Sequence, residues 1–374
     1  MPFQTEYEYL IHLLNCAIHD KTPEDVPESI SLQTVFEIGK YHEVANIAYL
    51  AIFKIADKVP AELMILWRGF YYNAIKRDQT QCRARTEILS ALHQHGIDTL
   101  EVQGTVVKQY YPQSHLRMMS DLDFIIPKDR LDEAQRIMQD LGYQAKITHE
   151  NTEVAAAKDN LHIELHTEYF DKTHIVYAAL NHPFSQTTLH DDHTAAVTDT
   201  VYYLFHWLHT LKHATEFAGI GIRRIIDLYY LEAALKDKVD LAYIDGILSE
   251  YALYEIKTKL IAVKDHWFCG IEPDTDISAL EAEILASGTH GTREIYFRNK
   301  FTREQANGIH FVKLRYVLGF VFPKKQALYA AYPFCAAHRL PLVICWICRW
   351  SLSVFRPEKR NHVKQLFSDI RVKF

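Results

Sequence analysis

The chain has 374 residues, 48% hydrophobic and 12% aromatic, which is enough apolar area for a folded protein of two or three domains and too much for a disordered one. Its formal charge is −6, from 41 Lys and Arg against 47 Asp and Glu, so the chain as a whole is no generic polyanion binder. The charge is unevenly spread. From Arg298 to Phe374 there are 15 Lys and Arg against Glu304, Glu358 and Asp369, a net +12 that leaves −18 for the residues before it. Such a tail is either a solvated basic face or the contact for an anionic partner such as polyphosphate, RNA or a membrane surface.

Six cysteines are too sparse for a disulfide scaffold, and the CxxC of Cys345 and Cys348 has no second ligand pair, so these thiols are expected to pack rather than bind zinc. The N-terminal MPFQTEYEYL lacks the basic and apolar regions of a secretion signal, which places the expected location in the cytoplasm.

In chain order, the first 95 residues read as helices: EYEYLIHLLNCAIH, then a long pattern from VFEIGK to Lys58, then AELMILWRGFYYNAIKR and TEILSALHQHG, stopped at Gly96. The pattern then changes. A short strand over Ile97–Val102 precedes Gly104, and TVVKQYY forms a short helix ended before Pro112. DLDFIIP alternates as a strand with an acidic end, and DRLDEAQRIMQDLG is an amphipathic helix capped by Gly142. Strands follow over Ala145–Thr148, Glu153–Ala157 and Leu161–His166.

From about Ala195 helices dominate again, ending in a 16-residue apolar run from Leu340 to Phe355 that is too short to span a bilayer; it is expected to be a buried helix, with an interfacial membrane helix as the alternative. The fold class is therefore α+β: a small mixed-sheet core over 96–190 between helical regions 1–95 and 191–374, with no transmembrane segment.

Asp121 and Asp123 lie two apart on a strand, so both carboxylates leave the same face and can converge on one divalent cation. In LHIELH the residues His162, Glu164 and His166 share a face, which brings Glu164 beside the aspartates if the two strands are neighbours. Three acids would suit metal-assisted phosphate chemistry. Gly104 and Thr105 open a short helix after a strand, where backbone N–H groups can meet phosphate. By themselves these residues fit a cation site or a solvated strand end. His206, His209 and His213 share a helical face and are expected to pack between elements, and Tyr110 and Tyr111 either bury or stack on a base.

The ordered series QGTVVKQYYP, Arg117, DLDFIIP, a helix ending LGY, and HIELH resembles the uncharacterised nucleotidyltransferase family of the DNA polymerase beta-like superfamily. HWLHTLKH, RRIIDLYYL and FPKKQALYAAYP are similar to its later segments. The resemblance implies Asp121, Asp123 and Glu164 as catalytic and metal ligands for Mg²⁺, with Mn²⁺ as the alternative. It implies Gly104, Thr105, Lys108 and Arg117 on the nucleotide side, with Lys108 offsetting Gln103, which stands where the family commonly has lysine.

The implied function is transfer of an NMP group from an NTP, ATP among them, to a hydroxyl or phosphate acceptor on a small molecule, protein or RNA. Two other classes stay open: a nucleotide-binding or protein-interaction module without turnover, and an RNA- or membrane-surface-associated structural protein using the basic C-terminal region.

Overall fold

The computed structural model describes residues 5–148, 152–168, 187–289, 291–306, 308–325, 328–329, 333–338, 340–355 and 369–372. Four helices come first: α1 (Glu6–Ile18), α2 (Leu32–Tyr41), α3 (Ala45–Ile52) and α4 (Ala61–Gln94). Thr5 and Ser31 cap α1 and α2 by accepting the backbone N–H three residues on. The long pattern expected up to Lys58 is broken at His42–Val44, where Glu43 takes a positive φ of 53° and the chain turns so that Gly39 packs against Ala45. Conversely, the two helices expected between Ala61 and Gly96 are one helix of 34 residues. The polar stretch around Asp78 and Gln79 contains no glycine or proline to interrupt it.

The core sheet then forms from β1 (Thr99–Glu101), β2 (Leu122–Ile125), β3 (Gln144–Thr148), β4 (Glu153–Lys158), β5 (Leu161–His166), β6 (Thr187–Leu189) and β7 (Thr194–Val197). The one-turn α5 (Gly104–Val107) follows β1, and α6 (Leu131–Asp140) links β2 to β3. Strand order is β3-β4-β5-β2-β1-β7-β6. The hairpin of β6 and β7, unanticipated in the sequence, carries the sheet past residue 190 by pairing β7 parallel to β1.

One face of the sheet is the main core. Leu122 and Phe124, Val154 and Ala156, and Ile163 and Leu165 point to that side, where they meet Ile88 and Leu92 of α4 and Ile137 and Met138 of α6. Since side chains alternate along a strand, the intervening residues Asp123, Ala155 and Glu164 face the other way, and a one-residue slip would exchange the two sets.

Beyond the sheet, α7 (Asp199–Glu216), α8 (Ile222–Leu235), α9 (Leu241–Glu250), α10 (Tyr254–Cys269) and α11 (Ser278–Ser287) follow. The chain continues through α12 (Arg293–Ala306), α13 (Val312–Val321), α14 (Pro333–Ala337) and α15 (Leu342–Phe355). Two compact units result, one of residues 1–211 with 220–289 and one of 212–219 with 290–374. No described helix is long and apolar enough to cross a membrane. Cys345 is a buried thiol, as expected, and packs with Cys335 and Leu328; the Cys348 side chain and part of FPKKQALYAAYP lie outside the described residues.

Within the first unit, His42 joins the N-terminal helices to α8. The Ile222 N–H can only donate, so it meets an unprotonated Nδ1 at 3.2 Å, and the Nε2–H donates to the Leu285 carbonyl at 3.0 Å. Burial holds the imidazole neutral, its pKa lowered to about 4, although the Leu285 carbonyl favours the charged form. The unfolded chain takes up this proton near pH 6.5 and the folded chain only near 4. Stability is therefore fully present above pH 6.5 and falls as pH drops toward 4, by on the order of 3 kcal/mol from this group. Urea unfolding near pH 7.5 and near pH 5 should show about 2 kcal/mol of this loss, and His42→Gln should flatten that part of the pH dependence while lowering stability overall. An unchanged pH dependence in His42→Gln would refute the assignment.

Candidate metal and nucleotide site

The acidic site is assembled by strand register. β2 pairs parallel with β5, setting Asp123 directly opposite Glu164. β5 turns back into β4 with Glu153 opposite His166. Ligand atoms of Asp123, Glu164 and His166 lie within 4.8 Å of one another, the only such cluster of metal-ligating side chains among the described residues. His166 Nε2 stands 3.5 Å from Asp123 Oδ1 and 3.4 Å from Glu164 Oε2, while Nδ1 is 3.4 Å from Glu153 Oε2.

The electrostatics follow from burial. Desolvation pushes the Asp123 carboxyl above its ordinary range against the pull of His166, and the neighbouring Asp121 and Glu164 push it the same way. Burial works against a charged imidazole, yet hydrogen bonds to Asp123, Glu153 and Glu164 outweigh it and push the His166 pKa up to about 11. His166 is thus the internal cation of the cluster. Asp121 precedes β2 and accepts from Ser120 Oγ at 3.0 Å; it lies outside the tight cluster but acts on Asp123 through its charge.

Glu164 is the most open of the three, its side chain 40% exposed. It borders a groove of about 520 Å³ on the sheet face, floored by Ala155 and Ala157 and edged by Gln144, Lys146 and His162.

The glycine turn is built differently from expectation. Gln103 takes φ 52° and ψ −120°, a conformation suited to glycine, and Gly104 then starts α5. A Cβ on Gly104 would lie 2.6 Å from Met119 Sδ and 2.8 Å from Arg117 Nη1, so a larger residue would have to displace one of these side chains. Thr105 is buried, its hydroxyl donating to the Val102 carbonyl at 2.7 Å. Gln103→Gly is expected to raise stability by about 1 kcal/mol by relieving the strained backbone, read as a higher thermal midpoint; a lower midpoint would mean that the Gln103 side chain contributes more than its backbone costs.

Two cations expected at the nucleotide are committed elsewhere. Lys108 is buried against Asp78 of α4, whose other oxygen accepts from Ser114. Arg117 is buried in a two-pronged pair with Asp227 of α8, both contacts 2.8 Å. Burial alone would raise the Asp227 carboxyl, but Arg117 dominates and lowers it to about 2. Tyr111, a candidate for base stacking, instead donates to Asp227 at 2.7 Å, and Tyr110 lies against Tyr202. The buried His206 is held neutral, its pKa lowered to about 3 by desolvation and by Arg224, and His209 Nδ1 meets Arg224 at 3.1 Å.

The irregular segment from His115 to Ser120, which delivers Asp121 and Asp123, is held carbonyl by carbonyl: Asn46 donates to residues 115 and 116, Arg223 to Met118, Gln81 to Met119 and Arg77 to Ser120. Arg223 of RRIIDLYYL therefore helps to brace the segment that leads into the acidic strand.

Glu153 and the bridging role of His166 were missed from the sequence. The signal was present in the two-residue connection Asp159–Asn160, because folding the chain there sets Glu153 opposite His166.

A mixed sheet with carboxylates meeting across parallel strands, beside a glycine turn, defines a nucleotidyltransferase-type core. Residues 28–269 match the family described as "Uncharacterised nucleotidyltransferase". The chain belongs to this family, and so to the nucleotidyltransferase superfamily. Among solved structures it is similar to the solution structure of the antibiotic-resistance factor ANT(2'')-Ia, at 12% identity and a TM-score of 0.34, over 50% of this chain and 97% of that one. No curated protein matches the chain.

Proposed function

We propose that the chain is a metal-dependent nucleotidyltransferase of the cytoplasm that moves an NMP group from an NTP, ATP foremost, to a hydroxyl or phosphate acceptor. The reading is carried by the Asp123–Glu164 register, which converges two carboxylates on one point. The donor set fits Mg²⁺ or Mn²⁺, since the oxygens are hard ligands and the charge they need balanced is now met by the His166 imidazolium. Asp123 and Glu164 would hold the ion, with Asp121 adding charge. When bound, the cation neutralises phosphate charge and makes the attacking oxygen more acidic.

The acceptor oxygen bonds to the α-phosphorus as the bridging oxygen leaves with pyrophosphate. Glu164, open to the groove, would orient the acceptor through the ion or take its proton as a general base. The backbone at Gly104 and Thr105 approaches the phosphates, while Lys108 and Arg117 support that turn through their ion pairs. Lys146 lies two strands from Glu164, roughly 10 Å away, which favours an acceptor carrying an anionic group. We assign the chemistry to residues 96–190 and its support to the helical regions 1–95 and 191–374.

A transfer screen with α-labelled NTPs, Mg²⁺ or Mn²⁺, and sugar, RNA and protein acceptors tests this. Pyrophosphate release at the wild-type rate in both Asp123→Asn and Glu164→Gln would overturn it.

A further inference from the structure

The family match ends at residue 269, and the second unit beyond it carries an exposed apolar surface. α13 already has a packed side: Val312 is buried with Phe297, Phe301 and Val372, and Tyr316 lies against them. Its solvent side is also apolar. Leu314, Leu318 and Phe322 follow at four-residue spacing and are 56%, 48% and 49% exposed, and Phe311, just before the helix, is 81% exposed. α15 repeats the feature with Val343 and Ile347, 58% and 60% exposed. Trp346 and Arg349 of α15 donate to the carbonyls of Pro323 and Phe320, at 3.0 and 2.7 Å, tying the two helices together at the end of α13.

Along the chain the charge flanking these stripes has one sign, and Asp369, the acid that meets α13 through Tyr316, is buried and paired with Arg293. No Asp or Glu occurs between Glu304 and Glu358, and Arg315, Lys324 and Lys325 are exposed beside the α13 stripe.

We infer that α13 and α15 dock this unit onto an anionic lipid surface, the leucine, valine and phenylalanine side chains entering the headgroup boundary and the Lys and Arg side chains meeting lipid phosphates. Both halves of the surface are needed for this partner. A second copy pairing through this same face would oppose positive charge to positive charge. RNA would use the cations but leave the aliphatic stripes in water. The helices lie on the bilayer rather than cross it, in keeping with their length.

The test is flotation of the full chain with vesicles of phosphatidylcholine alone or with roughly 30% phosphatidylserine, at low and high salt. Binding is expected only to the anionic vesicles and should weaken at high salt. Leu314→Ser with Leu318→Ser, and separately Lys324→Glu with Lys325→Glu, should each reduce it by on the order of tenfold. Because all four residues are exposed, folding should be retained, which circular dichroism checks. Leu314→Trp keeps the apolar area and should show a blue-shifted emission with anionic vesicles.

Failure of the wild type to float, binding unaffected by the leucine changes, or an unshifted tryptophan would each overturn the inference. So would a concentration-dependent dimer that the leucine changes dissociate, or RNA binding that competes off the vesicles. None of these readouts depends on the transfer reaction.

Discussion

Asp123→Asn is expected to lower nucleotidyl transfer by on the order of 10³-fold or more while leaving the metal-free protein as stable as wild type or more stable. The two effects have one origin. Asp123 is buried beside Glu164 and within the field of Asp121, and its carboxyl is pushed above the ordinary range, so the ionised form costs stability at neutral pH. Asparagine removes that repulsion and keeps the volume, but it removes a hard anionic ligand from the point where the strands converge.

The measurements are product formation from an α-labelled NTP and the thermal midpoint without divalent cations. A variant that transfers normally, or one that loses activity because it unfolds, would contradict the account. Adding Mg²⁺ or Mn²⁺ should raise the midpoint of the wild type and leave that of Asp123→Asn nearly unchanged, because an ion that binds only the folded state stabilises it by mass action.

Asp227→Ala is expected to destabilise the fold by about 3–5 kcal/mol, the largest stability effect of any single change considered for this chain. Arg117 would be left buried without its two-pronged partner, and the Tyr111 hydroxyl would lose its acceptor. Replacing both members of the pair, as Arg117→Met with Asp227→Leu, removes the charge along with its partner and should recover most of the loss. Urea unfolding of Arg117→Met, Asp227→Leu and the double variant measures this coupling. A double variant as unstable as the sum of the singles would show that the pair is not coupled.

The same cycle bears on the site. Arg117 lies in the segment from His115 to Ser120, so a refolded double variant with reduced transfer would identify the pair as positioning the acidic strand.

Much of this was legible in the chain itself. The alternation in DLDFIIP and LHIELH shows which side chains share a face, because a strand has period two whatever surrounds it. It therefore sorts Asp123 and Glu164 from Phe124 and Leu165. The amphipathic pattern of DRLDEAQRIMQDLG is equally local, and α6 forms there.

What no local pattern contains is which strand lies beside which, and which cation meets which anion. β2 and β5 are separated by a helix and two strands, and only sheet order sets Asp123 against Glu164. Lys108 and Arg117 read equally well as phosphate ligands until α4 and α8 supply Asp78 and Asp227, residues 30 and 110 positions away. A side chain's periodicity is determined by its neighbours in sequence, whereas its charge partner is determined by whatever the folded chain brings within a few ångströms. The candidate ligands of this protein belong to the first kind of information, and the roles of its buried cations to the second.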